Sequence, residues 1–184
     1  MVAKAEGRTE SATVVSLEQI LAARERRVAR QVAALARFDK PLISVTVVMP
    51  GPVKDGPLTR RVMTEALRAL GTVADDKRWR VLSGEGRWQL TGPEAFFVVD
   101  AGGWLLKSAT VGLEDHHPLG GLWDLDVFAP EGLITRRQLG LAPRRCLVCE
   151  RLAYVCVRSS RHPPEQLWST IRQLLGAYDL RSVA

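Results

Sequence analysis

From Trp123 to Val127 the chain reads Trp-Asp-Leu-Asp-Val, large apolar residues alternating strictly with carboxylates. A period of two is the pattern of a strand with one face in a core, because successive side chains leave opposite sides of the pleat. Trp123, Leu125 and Val127 then pack inward, and Asp124 and Asp126 emerge together with Cα atoms roughly 6.6 Å apart, at about 3.3 Å of rise per residue. Whatever else the chain does, it must build a sheet that is packed on one side and polar on the other at this point. Two like charges so close repel. A hard cation such as Mg²⁺ relieves the repulsion through oxygen ligands and holds a substrate phosphate at the same time; the alternative is a solvated sheet surface.

The rest of the chain supplies partners for such a sheet. Ser16 and Gln19 form a capping box ahead of a long amphipathic helix carrying Leu17, Ile20, Leu21, Val28, Val32 and Leu35, with Arg24, Arg26, Arg27 and Arg30 crowding its middle. A β-branched strand over 42–48 runs into a loop punctuated by Pro50, Gly51, Pro52, Gly56 and Pro57 that presents Lys54. A second helix over 58–71 ends at Gly71, residues 79–92 form a hairpin with Gly84 and Gly86 at its turn, and 94–101 is a strand closed by Gly102 and Gly103. A helix over 103–117 leads into Pro118 and the aspartate strand, and a C-terminal helix starts at Pro163–Pro164. Helices and strands mix without a βαβα rhythm, so the expected class is α+β, a mainly antiparallel or mixed sheet flanked by helices. Residues 1–15 read as a polar tail and 16–184 as a single domain.

No apolar run approaches the roughly 18 residues of a membrane span, and the N-terminal stretch lacks the apolar segment of a signal peptide, so a cytoplasmic protein without a membrane partner is expected. A formal net charge of +6 favours a polyanionic partner: a phosphorylated substrate, an acidic protein or a nucleic acid. The cations gather behind the aspartates, at Arg136, Arg137, Arg144 and Arg145, then Arg151, Arg158, Arg161 and His162. Guanidinium forks bind phosphate bidentately, so carboxylates for a metal beside arginines for phosphate are the equipment of phosphoryl or nucleotidyl transfer. Glu114, Asp115 and Glu150 are candidates for a third carboxylate. His116, His117 and Asp126 are candidates for the base that accepts a hydroxyl proton.

Three cysteines in a cytoplasmic chain do not make a disulfide framework. Cys146, Cys149 and Cys156 with His162 form a donor set that suits tetrahedral Zn²⁺. Against that stands a reading of 144–149 as a strand with its cysteines buried as small hydrophobes.

Taken together and in order, "ARERRVARQ" (23–31), "SVTVVMPGPVKDGPL" (44–58), "EDHHPLGGLWDLDVF" (114–128) and "ITRRQLGLAPRRCLVCERLAYVCVRSSRH" (134–162) resemble the apo-citrate lyase phosphoribosyl-dephospho-CoA transferase family, the citrate lyase holo-acyl-carrier-protein synthases. The resemblance implies a nucleotidyltransferase that moves the 2'-(5''-triphosphoribosyl)-3'-dephospho-CoA precursor onto a serine of the acyl-carrier subunit of citrate lyase and releases pyrophosphate. Its partners would be that precursor and that carrier, not nucleic acid. In general nucleotidyltransferases the glycine pair stands further ahead of the aspartates; here only two residues separate Gly120–Gly121 from Asp124, which implies a divergent form of that fold. On this reading Asp124 and Asp126 hold Mg²⁺, His117 joins them as a catalytic candidate, and Lys54, Arg136, Arg137, Arg144, Arg145, Arg158 and Arg161 are the phosphate ligands. Rival readings are a sister enzyme serving another carrier, such as that of malonate decarboxylase, and a zinc-stabilised nucleic-acid-binding module. The scarcity of aromatics among the arginines disfavours the latter.

Overall fold

The computed structural model describes residues 13–182. Five helices and five strands follow in the order α1 (Leu17–Phe38), β1 (Leu42–Val47), α2 (Pro57–Asp76), β2 (Arg80–Arg87), β3 (Glu94–Asp100), α3 (Gly103–His116), β4 (Trp123–Ala129), β5 (Gly132–Ile134), α4 (Ala153–Arg158) and α5 (Pro164–Ser182). The sheet order is β2-β3-β1-β4-β5, and every neighbouring pair is antiparallel, so the α+β class holds. Most of the expected tail, residues 1–12, lies outside the described residues. Val15 is buried and its N–H donates to the carbonyl of Pro52.

Register decides what each face of the sheet carries. Leu125 and Val127 stand opposite Val45 and Ile43 of β1, which in turn oppose Ala95 and Phe97 of β3. This face is covered by Val62, Met63, Ala66 and Leu70 of α2, Leu106 of α3, and Ile171, Leu175 and Tyr178 of α5. Trp123, fully buried among them, donates its indole N–H to the carbonyl of Val62 at 3.1 Å, which satisfies its one polar atom. The opposite face belongs to α1. At one end Ala34, Leu42, Phe96 and Val98 make a small apolar cluster. At the other end the cross-strand row Glu94, Thr46, Asp124 is polar. Glu94 is buried and bound by both Arg27 and Arg30, so these two helix arginines tie α1 to β3.

Three expectations change in the structure. Gly71 does not end α2, which continues to Asp76, because Leu70 is buried in the core and Val73 and Ala74 carry the apolar stripe on past it, half-buried. That burial outweighs the roughly 1 kcal/mol helix penalty of an interior glycine. Gly84 and Gly86 are not a turn but lie within β2. A Cβ on Gly84 would lie 2.9 Å from the Phe97 ring opposite, so glycine is what lets that ring cross the strand. The turn to β3 comes later and uses Gly92 at φ 104°. Finally, 144–149 is not a strand. Arg145 makes a single bridge to Leu152, and Cys146 to Arg151 form the tip of a tight hairpin.

Candidate functional site

Asp124 and Asp126 leave β4 on one face, as the alternation predicts, while Trp123, Leu125 and Val127 are fully buried on the other. A cavity of about 280 Å³ opens over the two carboxylates and is lined further by Lys107, Glu114, Arg136, Arg137 and Arg144. Its construction follows from the short reach of β5. That strand pairs with β4 only from Val127 onward, leaving the outward backbone groups of Leu125 without a strand partner. Side chains of α3 take their place: Glu114 Oε1 accepts the Leu125 N–H at 2.8 Å, and Lys107 Nζ donates to the Leu125 carbonyl at 2.9 Å. The two are seven residues apart, hence two turns along one side of the helix.

The orientation of Glu114 depends on a glycine. A Cβ on Gly120 would lie 2.2 Å from the Leu113 carbonyl oxygen and 2.6 Å from that of Glu114. Only glycine lets the short 3₁₀ turn at Gly120–Leu122 press against the end of α3 and deliver β4 beside it.

Charges in the cavity are interleaved. Arg136 spans Glu114 (Nη2 to Oε2, 2.5 Å) and Asp115 (2.9 Å), and these carboxylates hold it above the usual guanidinium range despite the cost of its burial. Arg144 reaches Asp124 at 3.2 Å and the carbonyls of Trp123 at 2.6 Å and Gly121 at 3.3 Å. Asp126 has no hydrogen-bond or ion-pair partner among the described residues. Burial first, and Asp124 and Glu114 after it, push its carboxyl above the ordinary 3.8, against the pull of Lys107 and Arg144. Asp124 and Asp126 are the kind of donor a hard divalent cation takes. They offer oxygen ligands from two side chains on one strand face, Asp124 shared with Arg144 and Asp126 without a side-chain partner among the described residues.

Not every candidate gathers here. Arg145 turns to Glu150 at 3.1 Å, and both are well exposed at the hairpin. Arg158 lies over the Tyr154 ring at 5.9 Å, and Arg161 is exposed in the turn after α4. Lys54 donates to the Met49 carbonyl at 2.6 Å, is lowered by burial, and lines a separate cavity of about 160 Å³ with Arg24, Arg27 and Thr46, on the same sheet face but beyond β1. His117 stands on the opposite side of β4. Its ring packs 4.3 Å from that of Trp123, its Nδ1 accepts the Leu119 N–H, and burial lowers it. His116 is held by the Gly112 carbonyl on exposed helix. Lys107 is the cavity-lining residue missed in the sequence, where the signal was a lone cation in the apolar run Trp104–Leu113.

The second constellation does assemble. The Sγ atoms of Cys146, Cys149 and Cys156 and a ring nitrogen of His162 all lie within 4.8 Å of one another, a group that could hold a metal ion. The backbone N–H of Arg151, followed by His162 and the other two sulfurs, brings Cys149 down to about 6, while desolvation and its sulfur neighbours push Cys156 up to about 11.

Residues 15–178 match the family model of apo-citrate lyase phosphoribosyl-dephospho-CoA transferase. The chain belongs to this family. The transferase of that name from Escherichia coli O7:K1 is 42% identical over 170 residues, covering 92% of this chain and 93% of its own length. The Shigella boydii serotype 18 transferase is 41% identical over the same extent. The match spans both the carboxylate cavity and the cysteine segment, so both lie within the part of the chain shared with the transferase family. Among the described residues no helix is long and apolar enough to cross a membrane.

Proposed function

We propose that this chain transfers the 2'-(5''-triphosphoribosyl)-3'-dephospho-CoA precursor to a serine of the apo acyl-carrier subunit of citrate lyase, with release of pyrophosphate. The observation that carries the reading is the cavity over β4, where two carboxylates on one wall face the guanidinium groups of Arg136, Arg137 and Arg144. At about 280 Å³ it sits at the lower end of ligand sites and suits the reacting triphosphate, with the remainder of the precursor outside it. Family membership supplies the substrate class, and the positive net charge suits both a triphosphate and an acidic carrier.

In the reaction, the serine oxygen forms a bond to the phosphorus nearest the ribose, and the bond from that phosphorus to the pyrophosphate oxygen breaks. Asp124 and Asp126 would hold Mg²⁺, which when bound supplies charge neutralisation to the departing pyrophosphate. Arg144 already touches Asp124, so it is in reach of a phosphate bound beside that carboxylate. Arg137, exposed at the cavity rim, adds a second fork, while Arg136 is committed to Glu114 and Asp115 and shapes the wall. Asp126, whose side chain has no protein partner among the described residues, would hold the ion through one carboxylate oxygen and accept the serine proton on the other. Zn²⁺ at the cysteines and His162 would be a structural ion.

Incubation with the precursor, Mg²⁺ and the apo-carriers of citrate lyase or of malonate decarboxylase, read by intact mass, tests this. Addition of the prosthetic group to the citrate lyase carrier alone is expected; addition to the other carrier alone establishes the sister activity instead. Asp124→Asn and Asp126→Asn should each slow transfer at least about a hundredfold, roughly 2.7 kcal/mol of barrier. Near-normal turnover in both removes the metal from the reading.

A further inference from the structure

From Gly140 to Gln166 a single residue, Cys156, is buried. A segment of this length with so little apolar burial has no core of its own and needs a staple to hold one shape. Yet it contributes Arg144 to the carboxylate cavity, where three hydrogen bonds depend on the position of its backbone.

The four donors sit where such a staple would be. Cys146 and Cys149 lie at the hairpin tip, closed below by the Cys146 N–H to Arg151 carbonyl bond at 2.7 Å and by the Ala153 N–H to Arg144 carbonyl bond at 2.8 Å. Cys156 comes from α4. His162 comes from the turn behind it, where Ser160 at φ 44° reverses the chain and the Arg161 N–H returns to the Cys156 carbonyl at 3.0 Å. The Cys149 and Cys156 sulfurs are 3.6 Å apart. That is too long for a disulfide bond of about 2.05 Å and close to the edge of about 3.8 Å of a tetrahedron built on Zn–S bonds of about 2.3 Å.

The histidine gives an independent sign. Its Nδ1 is 2.9 Å from Gln166 Oε1, an acceptor only, which makes Nδ1 the protonated nitrogen and leaves a lone pair on Nε2. Nε2 is buried and has no hydrogen-bond partner. A carbonyl oxygen on one ring nitrogen that fixes the other for an ion is the arrangement of metal-binding histidines.

We infer that Cys146, Cys149, Cys156 and His162 bind one tetrahedral Zn²⁺, and that this ion clips the 143–162 segment so that Arg144 stays over Asp124. Arg144 is the positioned residue, and Zn²⁺ acts through it. The dependence of substrate binding on the clip rests on the proposed function, whereas the ion and the ordering of the segment do not.

The tests separate these. Protein from zinc-supplemented cells should carry about one zinc per chain, and Co²⁺ in its place should show the intense visible bands of a tetrahedral thiolate site. Cys149→Ser and His162→Ala should lose both. Stripping the ion from the wild type should accelerate tryptic cleavage after Arg144 and Arg145 at least about tenfold, and Zn²⁺ should restore the slow rate without any substrate present. Calorimetry with the precursor should show weaker binding after stripping, with the loss absent in Arg144→Ala. Metal-free protein from supplemented cells, or equal cleavage rates with and without Zn²⁺, overturns the clip. An equal loss on stripping in Arg144→Ala overturns its action through that residue. Zinc-loaded wild type that orders the segment but fails to bind precursor upholds the clip and counts against the proposed function alone.

Discussion

Replacing Asp126 by Asn should make the folded protein more stable at neutral pH while crippling it as a catalyst. Burial, Asp124 and Glu114 all disfavour its charge. Strand geometry puts the two aspartates roughly 6.6 Å apart, where an effective dielectric of about 20 gives close to 2.5 kcal/mol of repulsion. The Asp124 side chain is 45% exposed, and Lys107 and Arg144 offset part of the cost, so about 1 kcal/mol is the expected gain. For a domain of this size that is an upward shift in Tm of about 2–4 °C. The sign with pH follows from the raised carboxyl. The folded state binds this proton more tightly than the unfolded one, so the stability it contributes is full below the ordinary 3.8 and is lost as pH rises through the folded-state value. Urea denaturation of wild type and Asp126→Asn should therefore diverge in favour of the variant from acid to neutral pH and converge near pH 3, where both side chains are neutral. Mg²⁺ should raise the wild-type Tm and leave the variant unmoved. A variant less stable than wild type at neutral pH, by the same margin in acid, would refute the reasoning, since Asp126 would then be stabilising the fold through its shape.

Gly120→Ala should destabilise by roughly 1–3 kcal/mol in urea titrations, because its Cβ meets the carbonyls of Leu113 and Glu114, and activity should fall with it as Glu114 shifts. Arg136→Ala leaves Glu114, 3% exposed, with Arg144 at 3.9 Å as its remaining ion pair and should cost about 1–3 kcal/mol, whereas Arg137→Ala should leave Tm unchanged and weaken precursor binding. Arg27→Ala should lower stability through buried Glu94 without altering carrier KM, while Arg24→Ala, on the wall of the Lys54 cavity, should not change Tm.

Much of the frame was legible because it depends on local pattern. Ser16 and Gln19 form the expected capping box, and the alternation at 123–127 assigned both faces of β4 correctly. What escaped depends on contacts distant in sequence. Gly84 reads as turn punctuation until Phe97 is placed opposite it, and the Leu125 backbone reads as paired until β5 proves too short to reach it. For the same reason Glu114 was one of three equivalent candidates and Lys107 was none. Their roles are set by a strand edge that periodicity cannot show. The cysteines looked like strand residues because a hairpin tip and a short β segment share composition, and only the single bridge from Arg145 to Leu152 separates them.

The side chains that satisfy Leu125 also bear on the life of the protein outside catalysis. An uncovered strand margin is a template on which another chain can add itself, and folded proteins blunt it with charge, above all lysine. Lys107 and Glu114 occupy both open backbone groups of Leu125, so the wall of the carboxylate cavity doubles as a guard against self-association. Substitutions such as Lys107→Met would then be selected against twice, once for lost turnover and once for aggregates seeded at the exposed edge of β4.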